Sequence, residues 1–221
     1  KIMVTGKKTQ NFFESSGIPK EKLVINPNVI DMSKFKFIDS KKFFDIVVVT
    51  RFFRVKRIDR LIDIVNKVVS YKSDLRVLII GSGPEKSKVK SLVAKMNLEK
   101  NVYFKNSIDY SRVPLAWNLG RIFILTSDSE GMPLTILEAM ASGVVCVVPK
   151  IGDIHDVIEN DVNGIIVDNP NKTEDFVNNI VRLLDDPEYY REMSVSAISI
   201  KENYNYITAS KIYKPIFSQI K

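Results

Sequence analysis

Asp45-Ile46-Val47-Val48-Val49-Thr50, then a basic loop, a segment of helical period and Leu75-Arg76-Val77-Leu78-Ile79-Ile80: this stretch decides the fold. Both apolar runs are rich in Val and Ile and nearly continuous, the pattern of parallel strands buried on both faces. Between them Ile58, Leu61, Ile62, Val65, Val68 and Val69 fall on one stripe, which predicts a helix over 57–71. Strand, helix and strand at this spacing form the repeating unit of an open parallel sheet.

The same reading extends outward. Further strands are expected at 102–105, 121–126, 144–148 and 164–168. A helix over 84–96 follows the Gly81-Ser82-Gly83 turn, with Pro84 suited to a first helical turn. A short apolar helix over 134–141 stops before Gly143. Thr173 with Glu174 and Asp175, and then Asp186-Pro187, open two more. The fold class is therefore α/β, a Rossmann-like open parallel sheet with helices on both faces, over residues 45–203. Residues 1–44, with short strands at 2–5 and 23–25 and a helix at 9–16, read as a connecting segment. Residues 204–221 read as a terminal helix.

Composition sets the class of molecule. Hydrophobic residues make up 45% of the 221 and charged residues 27%, values of an ordinary globular protein that exclude the disordered class. No apolar run approaches the roughly 20 residues of a membrane-spanning helix, and no signal-peptide pattern appears. The single cysteine, Cys146, lies inside Val144–Val148, where it reads as a small buried hydrophobe; it forms neither an internal disulfide nor a zinc-ligand set. Lys and Arg total 33 against 26 acids, a balance of +7 that attracts phosphates. The cations are dispersed without an aromatic-interleaved stripe, so nucleic acid is not an expected partner. The chain opens with Lys1 instead of Met, and a fragment of a longer protein is expected.

Open parallel sheets bind ligands beyond the carboxyl ends of their strands, so the loops there carry the chemistry. Thr50 leads into Arg51-Phe52-Phe53-Arg54-Val55-Lys56-Arg57. Arg51 and Lys56 can grip a diphosphate, one as a fork and one as a point charge, or form a solvated basic loop. Gly81-Ser82-Gly83-Pro84-Glu85-Lys86 permits a tight turn with close backbone approach at Gly81, but Lys86 stands where a dinucleotide fingerprint needs its third glycine. An NAD-dependent enzyme is disfavoured accordingly. Ser127 to Gly143 is the most informative stretch: Gly131 allows a tight turn, Pro133 opens a helix, and the free amides there would face an anion. Glu130 and Glu138 lie eight residues apart, an axial offset of up to roughly 12 Å. They suit the two ends of a sugar–diphosphate–ribose ligand; a dipole-stabilising acid and an exposed helical charge explain them equally well.

At this stretch the sequence resembles the family-four, or "group 1", retaining glycosyltransferases of two-domain GT-B architecture. Their signature of Glu, seven residues and Glu, then Ala-Met-Ala and Gly, stands here as Glu130 to Gly143. Arg51 with Lys56, Gly81-Ser82-Gly83-Pro84 and Asn163-Gly164 are similar to further family motifs, in the same order. The resemblance implies a donor-site domain, the C-terminal half of the GT-B fold. Glu138 would bind ribose and Glu130 the donor sugar. Gly131, Met132, Pro133 and Leu134, with Gly81, would line the donor site, and Arg51 and Lys56 would stabilise the departing diphosphate. It implies no cofactor and no metal, a nucleoside-diphosphate sugar of UDP or GDP type ahead of ADP, and a glycan or lipid-linked saccharide acceptor held by a missing N-terminal domain. The expected setting is cytoplasmic, with peripheral contact at the inner membrane face. A non-catalytic nucleotide-sugar-binding module, or one subunit of a two-chain transferase, is the alternative.

Two motifs depart from the family. Its Asn-Gly-Val-Asp appears as Asn28-Val29-Ile30-Asp31, and its Gly-Gly-x-x-Glu loop as Gly152-Asp153-Ile154-His155-Asp156. His155 there reads as a solvated loop histidine.

Overall fold

Six parallel strands form the central sheet: β3 (Phe44–Val49), β4 (Val77–Ile80), β5 (Val102–Lys105), β6 (Gly120–Ile124), β7 (Val145–Pro149) and β8 (Ile165–Val167). Their spatial order is β5-β4-β3-β6-β7-β8. The computed structural model describes residues 1–218, so residues 219–221 of the expected terminal helix lie outside the described residues. Every residue of β4 and of β7 is buried, Cys146 included. Continuous burial of this kind needs cover on both faces. One set of helices is α2 (Ile58–Val69), α3 (Lys86–Lys95) and α6 (Thr173–Asp185), with α2 packed against the other two. The other is α4 (Val113–Asn118), α5 (Leu134–Ala141) and α7 (Pro187–Ile198), with α5 packed against both neighbours.

The expected elements form with ends displaced by local backbone chemistry. Arg57 is not the first residue of α2; it adopts a left-handed conformation, φ 48° and ψ 50°, as the residue before it. Of the expected stripe, Ile58, Leu61, Ile62, Val65 and Val68 are buried, and Val69 is half-buried at the helix end. Pro84 and Glu85 fall in a turn ahead of α3, after Gly83 at φ 150°. Gly143 at φ 73° stops α5, where its N–H and that of Val144 take the carbonyls of Met140 and Ala139. Asp186 caps α7 by accepting the Tyr189 N–H at 2.9 Å. The helix α4 was not expected at all.

Upstream of the sheet, β1 (Ile2–Val4) and β2 (Leu23–Ile25) pair in parallel as a separate ribbon, joined by α1 (Lys7–Ser15). Ile30 and Phe35 are buried in the core of the sheet domain. The terminal helix, α8, spans Tyr206–Phe217.

Candidate active site

The chain builds outward from β3 through β4 to β5, then returns to lay β6 against the other side of β3. The strand order reverses between β3 and β6, which opens a crevice beyond their carboxyl ends. Thr50 and Arg51 leave one strand there, and Leu125, Thr126 and Ser127 the other. The two exits are tied together. The Thr126 hydroxyl donates to the carbonyls of Lys56 and Arg57 at 3.0 and 2.9 Å, and the Asp128 N–H donates to the Val55 carbonyl.

A cleft of about 460 Å³ occupies this position. Of the expected site residues it gathers Arg51, Lys56, Gly81, Glu130, Pro133 and Leu134. Lys56 Nζ lies 2.5 Å from Glu130 Oε1, with side chains only 18% and 12% exposed. The Ser127 hydroxyl donates to the same Oε1 at 2.6 Å. Arg51 is exposed, its guanidinium 5.5 Å from the Phe53 ring centroid, and has no acidic partner among the described residues. On the opposite wall α5 begins after Pro133 with no side-chain cap and no acid in its first turn. The amides of Leu134 and Thr135 find no carbonyl among the described residues. Two cations and an open helix start thus face one space, an arrangement that attracts a multiply charged anion.

Gly81 and Gly83 make this approach possible. Gly81, at φ 148°, packs where a Cβ would fall on the Thr50 carbonyl oxygen, and a Cβ on Gly83 would also clash with the Phe52 backbone. Lys86, at the third-glycine position, donates to the Gly81 carbonyl at 2.8 Å and to Asn106 at 3.0 Å. It ties the loops after β4 and β5 together.

Three of the expected residues lie elsewhere. Met132 is buried, its carbonyl held at 2.7 Å by the Asn28 amide, and contributes to the core. Gly131 is exposed on the side of α1, beside the Thr5 hydroxyl. Glu138 is 4% exposed and not an exposed helical charge: Trp117 Nε1 donates to its Oε2 at 3.3 Å, and the Tyr110 hydroxyl reaches the same carboxylate. Burial raises the Glu138 carboxyl above its ordinary range against the pull of those two donors. The burial of Tyr110 and the neighbouring carboxyl push its phenol up to about 12.

The cleft also has residues that the sequence reading missed: Thr135, Val113, and Ser107 with Ile108. The last two follow β5, and the rule that sends attention to strand carboxyl ends applies to that loop as to the others. A larger cleft, about 630 Å³, lies between the Phe53–Ile58 turn and α3. Its Arg57 is already paired with Asp59 at 3.1 Å and Asp128 at 3.2 Å, so it offers little to an anion. A third, about 430 Å³, lies on the far side of Glu130, between Lys8, Thr9 and Phe12 of α1 and Ser129 with Gly152. His155 is solvated, its Nε2 3.4 Å from Asp156. Among the described residues no group of three or more His, Cys, Asp or Glu could hold a metal ion, and no helix is long and apolar enough to cross a membrane.

The family model of glycosyl transferases group 1 matches residues 30–199. The N-acetyl-α-D-glucosaminyl L-malate synthase of Bacillus anthracis is 27% identical over 192 residues, 79% of this chain and 49% of its own length. The α-D-kanosaminyltransferase of Streptomyces kanamyceticus is 26% identical over 152 residues, 69% of this chain and 39% of its own. The chain therefore spans half or less of these relatives. Among solved structures, a TarM variant of S. aureus crystallised with fondaparinux, α-GlcNAc-glycerol and UDP superposes with a TM-score of 0.90 at 22% identity, covering 98% of this chain and 43% of that one. Anabaena HepE with UDP and glucose gives 0.86 at 18%, covering 99% and 62%. At these identities the two structures speak for the fold.

Proposed function

Since this chain belongs to the group 1 glycosyl transferases, we propose that its switch-point cleft is the donor site for a nucleoside-diphosphate sugar. The observation that carries the reading is the convergence of Arg51, Lys56 and the uncapped start of α5 on one cleft bordered by Glu130. The relatives crystallised with UDP add weight to a UDP-type donor.

In this reading the diphosphate lies between the two cations and the amides of Leu134 and Thr135. As the bond between sugar and diphosphate breaks, negative charge grows on the leaving oxygen. Fixed positive groups stabilise that charge without reorganising at the moment of reaction. Arg51 and Lys56 supply the role in place of a divalent ion, so the transfer is metal-independent and EDTA leaves nucleotide affinity unchanged. Glu130, with one oxygen held by Lys56 and Ser127, offers its other oxygen to hydroxyls of the donor sugar. Glu138 takes the ribose once a ribose hydroxyl replaces that of Tyr110. The transfer proceeds with retention, to a glycan or lipid-linked acceptor presented by a further domain beyond the connecting segment 1–44. Peripheral contact with a membrane face belongs to the same proposal.

Calorimetric titration of UDP, GDP and ADP, each beside its nucleoside, tests the core of this. Arg51 has no acidic partner to lose, so Arg51→Ala leaves the fold intact. It should weaken the diphosphate about tenfold and leave the nucleoside unchanged. If none of the three diphosphates binds, or if Arg51→Ala has no effect on one that does, the donor-site reading fails.

A further inference from the structure

Asp153 stands where the resembled family has the second glycine of its loop, and it is fully buried. Its backbone N–H donates to the Gly131 carbonyl at 2.9 Å. Its carboxylate turns the other way, toward α1. Oδ1 accepts the Thr9 N–H at 3.0 Å, and Oδ2 accepts the Thr5 and Thr9 hydroxyls at 2.8 and 2.5 Å. Thr9 is the third residue of α1, so the bond satisfies one of the amides that a helix start leaves open. Asp156 accepts the Lys7 N–H at 2.9 Å in the same way. Two carboxylates from residues 153–156 thus cap a helix nearly 150 positions earlier, whose own N-cap, Gly6, has no side chain to do it. Burial works against the charge on Asp153, but the bonds from Thr9 and Thr5 outweigh it and hold the carboxyl below its ordinary value.

The contacts on both sides leave no room for adjustment. A Cβ on Gly6 would run into the Asp153 and Asp156 carboxylates. Gly152, at φ 53°, is so close to the next layer that a Cβ there would fall on the carbonyls of Glu130 and Gly131. Residues 152–156 are therefore stacked backbone on backbone against the Glu130–Gly131 turn, and meet the start of α1 through the Asp153 and Asp156 carboxylates. Asp153 is bonded to the layer on each side, and a glycine at that position has no carboxylate with which to reach α1.

We propose that Asp153 is a positioning residue through which helix α1 sets the Glu130–Gly131 turn at the edge of the cleft, and with it the grip on the sugar half of a nucleotide-sugar. The ligand half of this statement rests on the donor-site reading above; the coupling does not. Asparagine at 153 keeps the shape but removes the charge, and an amide nitrogen in place of Oδ2 can only donate to the Thr5 and Thr9 hydroxyls that Oδ2 now accepts from. Thr9→Val removes one hydroxyl from the other side and leaves Asp153 in place.

The coupling is tested by hydrogen exchange in the 221-residue chain, read at the residue 153 amide, the donor to Gly131. Bonds to a charged group of this kind correspond to at least a roughly tenfold change in an opening equilibrium. Both Asp153→Asn and Thr9→Val should speed that amide about tenfold, with β3 and β4 unchanged. No change at residue 153, or an equal rise in β3 and β4, overturns the coupling. The ligand half is tested by titrating UDP and GDP beside UDP-glucose, UDP-N-acetylglucosamine and GDP-mannose. Both variants should hold the bare nucleotide within about twofold and lose the extra affinity that the sugar confers on the wild type. A wild type with no such extra affinity, or variants that keep it, overturn this half. If the wild type binds no nucleotide at all, the donor-site reading has failed and the exchange result still decides the coupling.

Discussion

Lys56 and Glu130 are eighteen and twelve per cent exposed and meet at 2.5 Å, so they sit between the two regimes in which ion pairs are understood. Breaking a fully buried pair costs about 3–5 kcal/mol because a charge is left unpaired. An exposed pair is worth under about 1 kcal/mol. In Lys56→Met the Glu130 carboxylate keeps only the Ser127 hydroxyl at 2.6 Å and limited access to water. Destabilisation of about 2 kcal/mol is expected, near the middle of that range. In a chain of this size it lowers Tm by roughly 4–8 °C. Glu130→Gln leaves an ammonium on a flexible stem that can reach water, so its cost is smaller, about 1 kcal/mol.

The double variant Lys56→Met with Glu130→Gln carries no unpaired charge. It should be less destabilised than the two single changes added together, with a coupling of about 1.5 kcal/mol. Urea unfolding, followed through the buried Trp117, measures all four corners of the cycle. A coupling below about 0.5 kcal/mol, within the range of independent sites, refutes the reasoning. The two groups would then be separately solvated, and Glu130 would not be oriented by Lys56. A real coupling also has a functional consequence. Without ligand, the Lys56 charge is committed to Glu130, so in the proposed donor site a diphosphate would have to share it.

Other consequences follow from single residues. Gly81→Ala puts a Cβ against the Thr50 carbonyl at φ 148° and should cost about 2 kcal/mol or more, read as a lower urea midpoint. Glu138 has a raised carboxyl, so the folded chain binds more protons than the unfolded one above the ordinary value of 4.5. Stability contributed there falls as pH rises through the folded value, and Glu138→Gln should remove that slope; parallel pH profiles for the two proteins would contradict it. Burial pushes the Cys146 thiol up, so an aromatic disulfide reagent should find no thiol in the folded chain and one in urea.

Most of the sheet was legible because its signal is local. Uninterrupted Val and Ile runs such as those in β3 and β7 require burial on both faces, whatever the rest of the chain does. The helix α4 was not legible: it is six residues long, with Pro114 in its first turn, too short for a period to show. That omission had a cost at the site. Trp117 lies on α4 and donates to Glu138. With α4 unread, nothing in the stretch from Glu130 to Gly143 could distinguish a buried acid from an exposed one.

Glu130 and Glu138 show where reading along one chain segment stops. Their eight-residue spacing, with Glu130 in the loop before the helix and Glu138 inside it, suggests two carboxylates presented to the two ends of one ligand. In the folded chain they differ in kind. Glu130 lies in the loop before α5, half satisfied by Lys56 and Ser127, with Oε2 free of protein partners among the described residues. Glu138 lies one turn below Leu134 and Thr135 on α5, with its carboxylate turned under Trp117 and Tyr110. One has an oxygen open to a new partner; the other already has its carboxylate engaged by the Trp117 donor. The partners that make the difference come from the loop after β3 and from the segment before β6, and only the strand order brings both beside α5. The spacing of the acids is a property of the segment, whereas their readiness for a ligand is a property of the sheet.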